Sequence, residues 1–137
     1  MRISALLLFF FLLSISSAGQ NLIGYSTKEV KEYLSKQSPE LIEERNFTND
    51  HYRYLKFTDG NLNLKTLIIF FSDKNRCTGV KIIYDLSLKN KVVKELDSLY
   101  VRKEENIWLD RDRKKTSLVE LTREDWFITV SIKPVKK

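Results

Sequence analysis

The sequence predicts a small α+β domain: an antiparallel meander sheet with two helices packed on one face, in the order αβββ-αβββ. Three features carry this reading. Two stretches place apolar residues at helical spacing behind a serine cap, several others are apolar or alternate with period two, and turn-forming segments separate them. No low-complexity or proline-rich linker divides residues 20–137, so they read as a single domain.

Residues 1–19 read as a signal peptide. Met1-Arg2 is a short positive start, Ile3 to Ile15 is apolar apart from Ser4 and Ser14, and Ser16-Ser17-Ala18-Gly19 supplies the small residues of a cleavage site. The apolar run is shorter than the roughly 20 residues of a spanning helix. Cleavage after Ala18 or after Gly19 fits the pattern; the second leaves 118 of the 137 residues, beginning at Gln20. Position 19 is glycine where a lipoprotein carries its acylated cysteine, so a mature chain without a lipid anchor or transmembrane segment is expected. The expected location is periplasmic or secreted. Cys77 is the single cysteine, so no intrachain disulfide can form and the fold must rest on its core.

The first helix is predicted over 27–37. Ser26-Thr27-Lys28-Glu29 has the form of a capping box, Tyr25 and Val30 occupy staple positions, and Val30, Tyr33 and Leu34 form one stripe. Ser38-Pro39 ends it, because the residue before proline avoids helical geometry.

Three strands follow. Residues 51–58 are aromatic-rich, and Asp59-Gly60-Asn61 supplies a turn. Residues 64–71 contain the continuous apolar run Leu67 to Phe71, typical of a strand covered on both faces. Ser72 to Asn75 fits a hairpin loop, and in 77–85 Val80, Ile82 and Tyr84 alternate on one face. A second helix is predicted over 88–101, capped by Ser87, with Val92, Val93, Leu96, Leu99 and Tyr100 as its stripe. Strands at 106–109 and 117–122 precede a last one in which Trp126, Ile128, Val130 and Ile132 alternate. Val30-Lys31-Glu32-Tyr33 echoes Val93-Lys94-Glu95-Leu96, which suggests two αβββ halves.

Several classes of chemistry are excluded or left without a motif. His51 is the single histidine, so a histidine-based triad or a multi-histidine metal site is excluded or nearly so. The four glycines are too dispersed for a phosphate-cradling loop. Cys77 opens an apolar strand and reads as a buried, inert thiol. Asp110 and Asp112 are the one suggestive carboxylate pair, since residues two apart on a strand point the same way, but Arg111, Arg113, Lys114 and Lys115 surround them and explain them as ion-pair partners. No catalytic residue, metal ligand or cofactor is assigned. Asn46-Phe47-Thr48 has the form of a glycosylation sequon, relevant only to a eukaryotic secretory route.

Two binding features remain. The chain is basic, with a formal charge of +6, or +5 once Arg2 leaves with the signal peptide. Arg111, Arg113, Lys114 and Lys115 are expected at a hairpin tip, where they suit phosphate contacts or protect a sheet edge. Tyr52 and Tyr54 alternate with Leu55 and Phe57, so one face of that strand is either sandwiched or displays a tyrosine platform.

The opening Gly24-Tyr25-Ser26-Thr27-Lys28-Glu29-Val30 resembles the helix start of small bacterial envelope proteins, the SmpA/OmlA-type outer-membrane assembly lipoproteins and the β-lactamase-inhibitor-like domains. In overall style the chain also resembles small secreted bacterial proteins. The resemblance implies a short helix leading into an antiparallel sheet that binds other proteins. The expected function is therefore an exported, non-enzymatic interaction module whose partner is a protein or envelope component, its oligomeric state open. A small hydrolase using carboxylates such as Asp110 and Asp112 is one alternative. Binding to polyanions through the basic hairpin is the other.

Overall fold

Helix α1, Thr27–Gln37, begins where its cap dictates. Ser26 Oγ accepts from the Glu29 amide at 3.2 Å, and Glu29 Oε1 accepts in return from the Ser26 amide at 3.2 Å. The helix ends at Ser38, and Val30 and Leu34 are its buried residues. Here a computed structural model of the chain describes residues 21–44, 53–60, 64–112 and 115–135; of Asp112 and Lys115 it describes the backbone alone. The signal segment, the sequon, His51, Tyr52, Arg113 and Lys114 lie outside the described residues.

The strands are β1 Ile42–Glu43, β2 Tyr54–Thr58, β3 Lys65–Phe71, β4 Cys77–Asp85, β5 Val101–Glu104, β6 Ile107–Asp112, β7 Lys115–Arg123 and β8 Phe127–Pro134. A 3-10 turn, Leu86–Leu88, leads into helix α2, Lys89–Leu99. All pairings are antiparallel, and the strands form one sheet in the order β1-β2-β3-β4-β8-β7-β6-β5.

This overturns the α+β expectation of order αβββ-αβββ. Among the described residues strand dominates, each helix is followed by four strands, and the two runs of four join through β4 and β8 into a single eight-stranded sheet. The two unforeseen strands have physical reasons for escaping a pattern search. Strand β1 is two residues long, too short to show a period. Strand β5 has all four residues exposed, so no apolar alternation marks it; its charges suit the sheet edge, where they discourage pairing with another chain. The second helix also stops earlier than expected: Tyr100 is already extended, at φ −130° and ψ 166°, and Val101 opens a strand. Ser87 does not cap α2. Asp85 instead accepts from the Ser87 amide at 3.0 Å and from its hydroxyl, which holds the 3-10 turn.

One face of the sheet makes the core. Phe57, Leu67, Ile69, Val80, Ile82, Trp108, Val119, Leu121, Ile128, Val130 and Ile132 are buried in one cluster with Val30, Leu34, Val92 and Leu96 of the helices. Each aliphatic side chain so covered contributes about 1.5–3 kcal/mol relative to exposure. Trp108 is fully buried, and its Nε1 donates to Asp97 Oδ1 at 2.9 Å, which ties β6 to α2. The segment before α1 is part of this core, with Leu22 and Ile23 buried. Asn21 Nδ2 donates to Asp110 Oδ2 at 2.9 Å and to Ser117 Oγ at 2.7 Å, and its Oδ1 accepts from the Ile23 amide at 3.1 Å.

Candidate functional site

Alternation settles what the other face of the sheet shows. Because Leu67, Ile69 and Phe71 are buried in β3, Ile68 and Phe70 point the opposite way and are half-buried. No described element covers them. The expectation that Leu67 to Phe71 is covered on both faces is therefore corrected: the strand is apolar on both sides, and the helices lie on one.

The register extends this surface across the molecule. One row runs Lys56, Ile68, Lys81, Ser131, Glu120, Ile107, each residue opposite the next on the neighbouring strand. A second runs Thr58, Thr66, Ile83, Thr129, Thr122. Beyond the first row, Tyr54 pairs with Phe70, their rings 6.4 Å apart and tilted, and Leu109 pairs with Leu118. Tyr54, Ile68, Phe70, Ile83, Leu109 and Leu118 are all half-buried. Lys81 and Glu120 are exposed, and Lys56 lies 3.2 Å from Glu44. The face thus offers apolar area with charges of both signs.

An aromatic projection stands at one end of the sheet. Trp126 is 82 % exposed and Phe127 38 %. The sequence pattern put Trp126 in phase with Ile128, Val130 and Ile132 of the core; instead the chain turns at 124–126, with the Glu124 amide donating to Phe127 O at 2.8 Å, and β8 starts one residue later. Asp85 pairs with Phe127, and its amide donates to Leu64 O at 3.0 Å, so Leu64 and Phe127 flank it.

The helix-covered side holds a cleft at the same end. This open cleft of about 250 Å³ lies between the start of β3, the end of β4, α2 and the chain between α1 and β1. Leu41, Leu64, Leu88 and Val92 give it an apolar wall, and Glu40, Asp59, Lys65, Tyr84, Lys91 and Glu95 supply its polar groups. The Lys65 ammonium lies over the Tyr84 ring, 5.5 Å from its centroid. Burial lowers the Lys65 pKa, and the charges of Glu95, Glu40 and Asp59 only partly restore it. Burial also raises the Tyr84 pKa, and Glu95 adds to the shift.

The residues singled out from the sequence fall in different places. Tyr54 is on the uncovered face. Asp110, half-buried, points to the covered side, where its carboxylate accepts from Asn21. Arg111 is exposed and points the other way. The side chains of Asp112 and Lys115 lie, like Arg113 and Lys114, outside the described residues, and with them the rest of the expected carboxylate pair and basic hairpin tip. Cys77 is buried, with Sγ 3.5 Å from Gly79 O. Among the described residues no group of three or more His, Cys, Asp or Glu is placed to hold a metal ion, and no helix is long and apolar enough to cross a membrane.

Sequence reasoning missed Ile68, Phe70, Ile83 and Leu118 as surface residues. The signal was present: a run apolar at every position has two apolar faces, and two short helices of 11 residues each are little cover for both sides of eight strands. The chain matches no protein-family model, no curated protein and no solved structure.

Proposed function

We propose that the chain is an exported, non-enzymatic interaction module that binds another protein of the periplasm or extracellular space through the helix-free face of its sheet. One observation carries this: Tyr54, Ile68, Phe70, Ile83, Leu109 and Leu118 stand on a rigid face over which no described element lies. A strand with apolar residues on both sides loses hydration free energy wherever one side stays wet, at about 25 cal/mol for each Å² left uncovered. A partner's surface removes that cost, and Tyr54 and Phe70 provide the aromatic anchors that dominate such contacts.

The hydrolase alternative has no support from Asp110, whose carboxylate holds the N-terminal segment in place. The test is capture from an envelope extract on the immobilised chain, at low and moderate salt, beside Phe70→Lys with Leu118→Lys and beside Arg111→Ala. A stoichiometric protein that survives moderate salt, persists with Arg111→Ala and is lost with the double variant supports the module. Capture of anionic material alone, released by salt and lost with Arg111→Ala, replaces it with polyanion binding. An unchanged partner on the double variant removes the sheet face from the account.

A further inference from the structure

We propose that the helix-free face of the sheet docks a second copy of this chain, in a face-to-face dimer whose twofold axis runs along β8. This rests on the reading that the chain meets protein through that face, and it names the partner. The pattern of the face on either side of β8 carries it. In the row through Ser131, Lys81 lies one strand to one side and Glu120 one strand to the other. One strand further out stand Ile68 and Ile107, and beyond them Lys56 and Glu104. Counted outward from β8, each lysine of this row has a glutamate as its counterpart, and the isoleucine has an isoleucine.

A twofold axis along β8, lying between two stacked faces, exchanges these flanks. It sets Lys81 of each copy against Glu120 of the other, and Ile68 against Ile107. Lys56, which lies 3.2 Å from Glu44 of its own chain, comes to the rim beside the other copy's Glu104. The neighbouring row behaves alike. Phe70 meets Leu109, and Leu118 stands over Gly79, where glycine leaves room. Tyr54 meets Val101, which is 52 % exposed. One contact opposes the dimer: Lys133, opposite Leu118, lies on the axis and faces its own copy. An axis across the strands would instead set Lys81 against Lys81 and Glu120 against Glu120, so charge selects the axis along β8. Rotation about a strand keeps the two twisted sheets aligned, as in a sandwich. From β2 to β5 the face is about 34 Å wide, and its three rows run about 20 Å along the strands. That is about 700 Å² of face, close to the roughly 800 Å² a side of a standard interface.

The test is sedimentation velocity of the purified chain across micromolar concentrations, where a dimer is expected. Lys81→Glu and Glu120→Lys, both at exposed positions, should each weaken it about a hundredfold, because both symmetry-related pairs become repulsive. Mixing the two variants should restore it, since every reversed charge then meets its opposite. If a reversed variant fails to fold, Lys81→Ala and Glu120→Ala take its place, each with a loss of about tenfold. Lys133→Ser should tighten the dimer. A chain that is monomeric throughout, a mixture that stays monomeric, or a dimer loosened by Lys133→Ser overturns the proposal. If capture of an envelope protein is still lost with Phe70→Lys and Leu118→Lys, the interaction reading stands without the dimer. A dimer unchanged by the charge variants and by Phe70→Lys with Leu118→Lys overturns both.

Discussion

The two faces of the sheet are built from the same strands and almost the same residue types, yet they have different fates. On the covered face Leu67, Ile69, Val80, Ile82, Val119 and Val130 are buried in one cluster with helix side chains. On the other, Ile68, Phe70, Ile83, Leu109 and Leu118 alternate with Lys81, Ser131 and Glu120 and keep contact with water. Apolar character therefore does not decide which face is core; the placement of two helices does. The uncovered face is where a mutation should be cheap for folding and costly for binding.

The comparison is sharpest at Trp108. Its replacement by alanine removes a fully buried indole and leaves Asp97 without that donor, so a loss of about 3–5 kcal/mol is expected in urea unfolding. If Trp108→Ala cost no more than a change on the uncovered face, the assignment of core and surface would be broken. Next comes the strap. Asn21→Ala leaves the fully buried Ser117 hydroxyl and the Asp110 carboxylate without the donor they share, a loss of about 1–3 kcal/mol by the same measurement. Ser26→Ala should cost about 1 kcal/mol, the usual worth of an N-cap, with helical circular dichroism otherwise kept. On the open face, Phe70→Lys should shift stability by about 1 kcal/mol, since no described helix lies over the side chain, while partner capture is lost.

The covered side also carries a pH signature. Burial raises the hydroxyl pKa values of Tyr84 and Tyr100 above the ordinary tyrosine value of about 10. As pH climbs past that value the unfolded chain releases these protons first, so stability is full below it and falls as pH rises above it. Lys65, lowered by burial, acts in the opposite sense below its ordinary value, because the unfolded chain there binds the extra proton and stability rises with pH. Urea midpoints from pH 9 to 12 should therefore fall at the alkaline end, and Tyr84→Phe should flatten that fall. An equal slope in Tyr84→Phe would show that the Tyr84 hydroxyl does not drive it.

Local signals were legible in the sequence, and global ones were not. Ser26 and Glu29 announced a helix whose observed span is 27–37, and Val80, Ile82 and Tyr84 pointed to the buried side of β4. The chain does not print which strand joins the two halves, because β4 and β8 pair across some 40 residues that leave no local trace. Nor does it separate the faces of β3, whose five consecutive apolar residues look alike from either side. Trp126 misled for a related reason: it stands in phase with the strand after it, but the turn claims it first. Of the proposed interface, only Tyr54 could be named from sequence, since its neighbours across the face come from strands remote in the chain.

The strand order has a consequence for how this protein is made. The last strand in the sequence, β8, lies at the centre of the sheet, between β4 and β7. A chain synthesised from its N-terminus exposes the open flank of β4 until residues 127–134 emerge. Until then the first meander is half a structure with an apolar strand at risk of pairing with another molecule. Strand β8 joins the two runs of four strands, and it follows both of them in the chain.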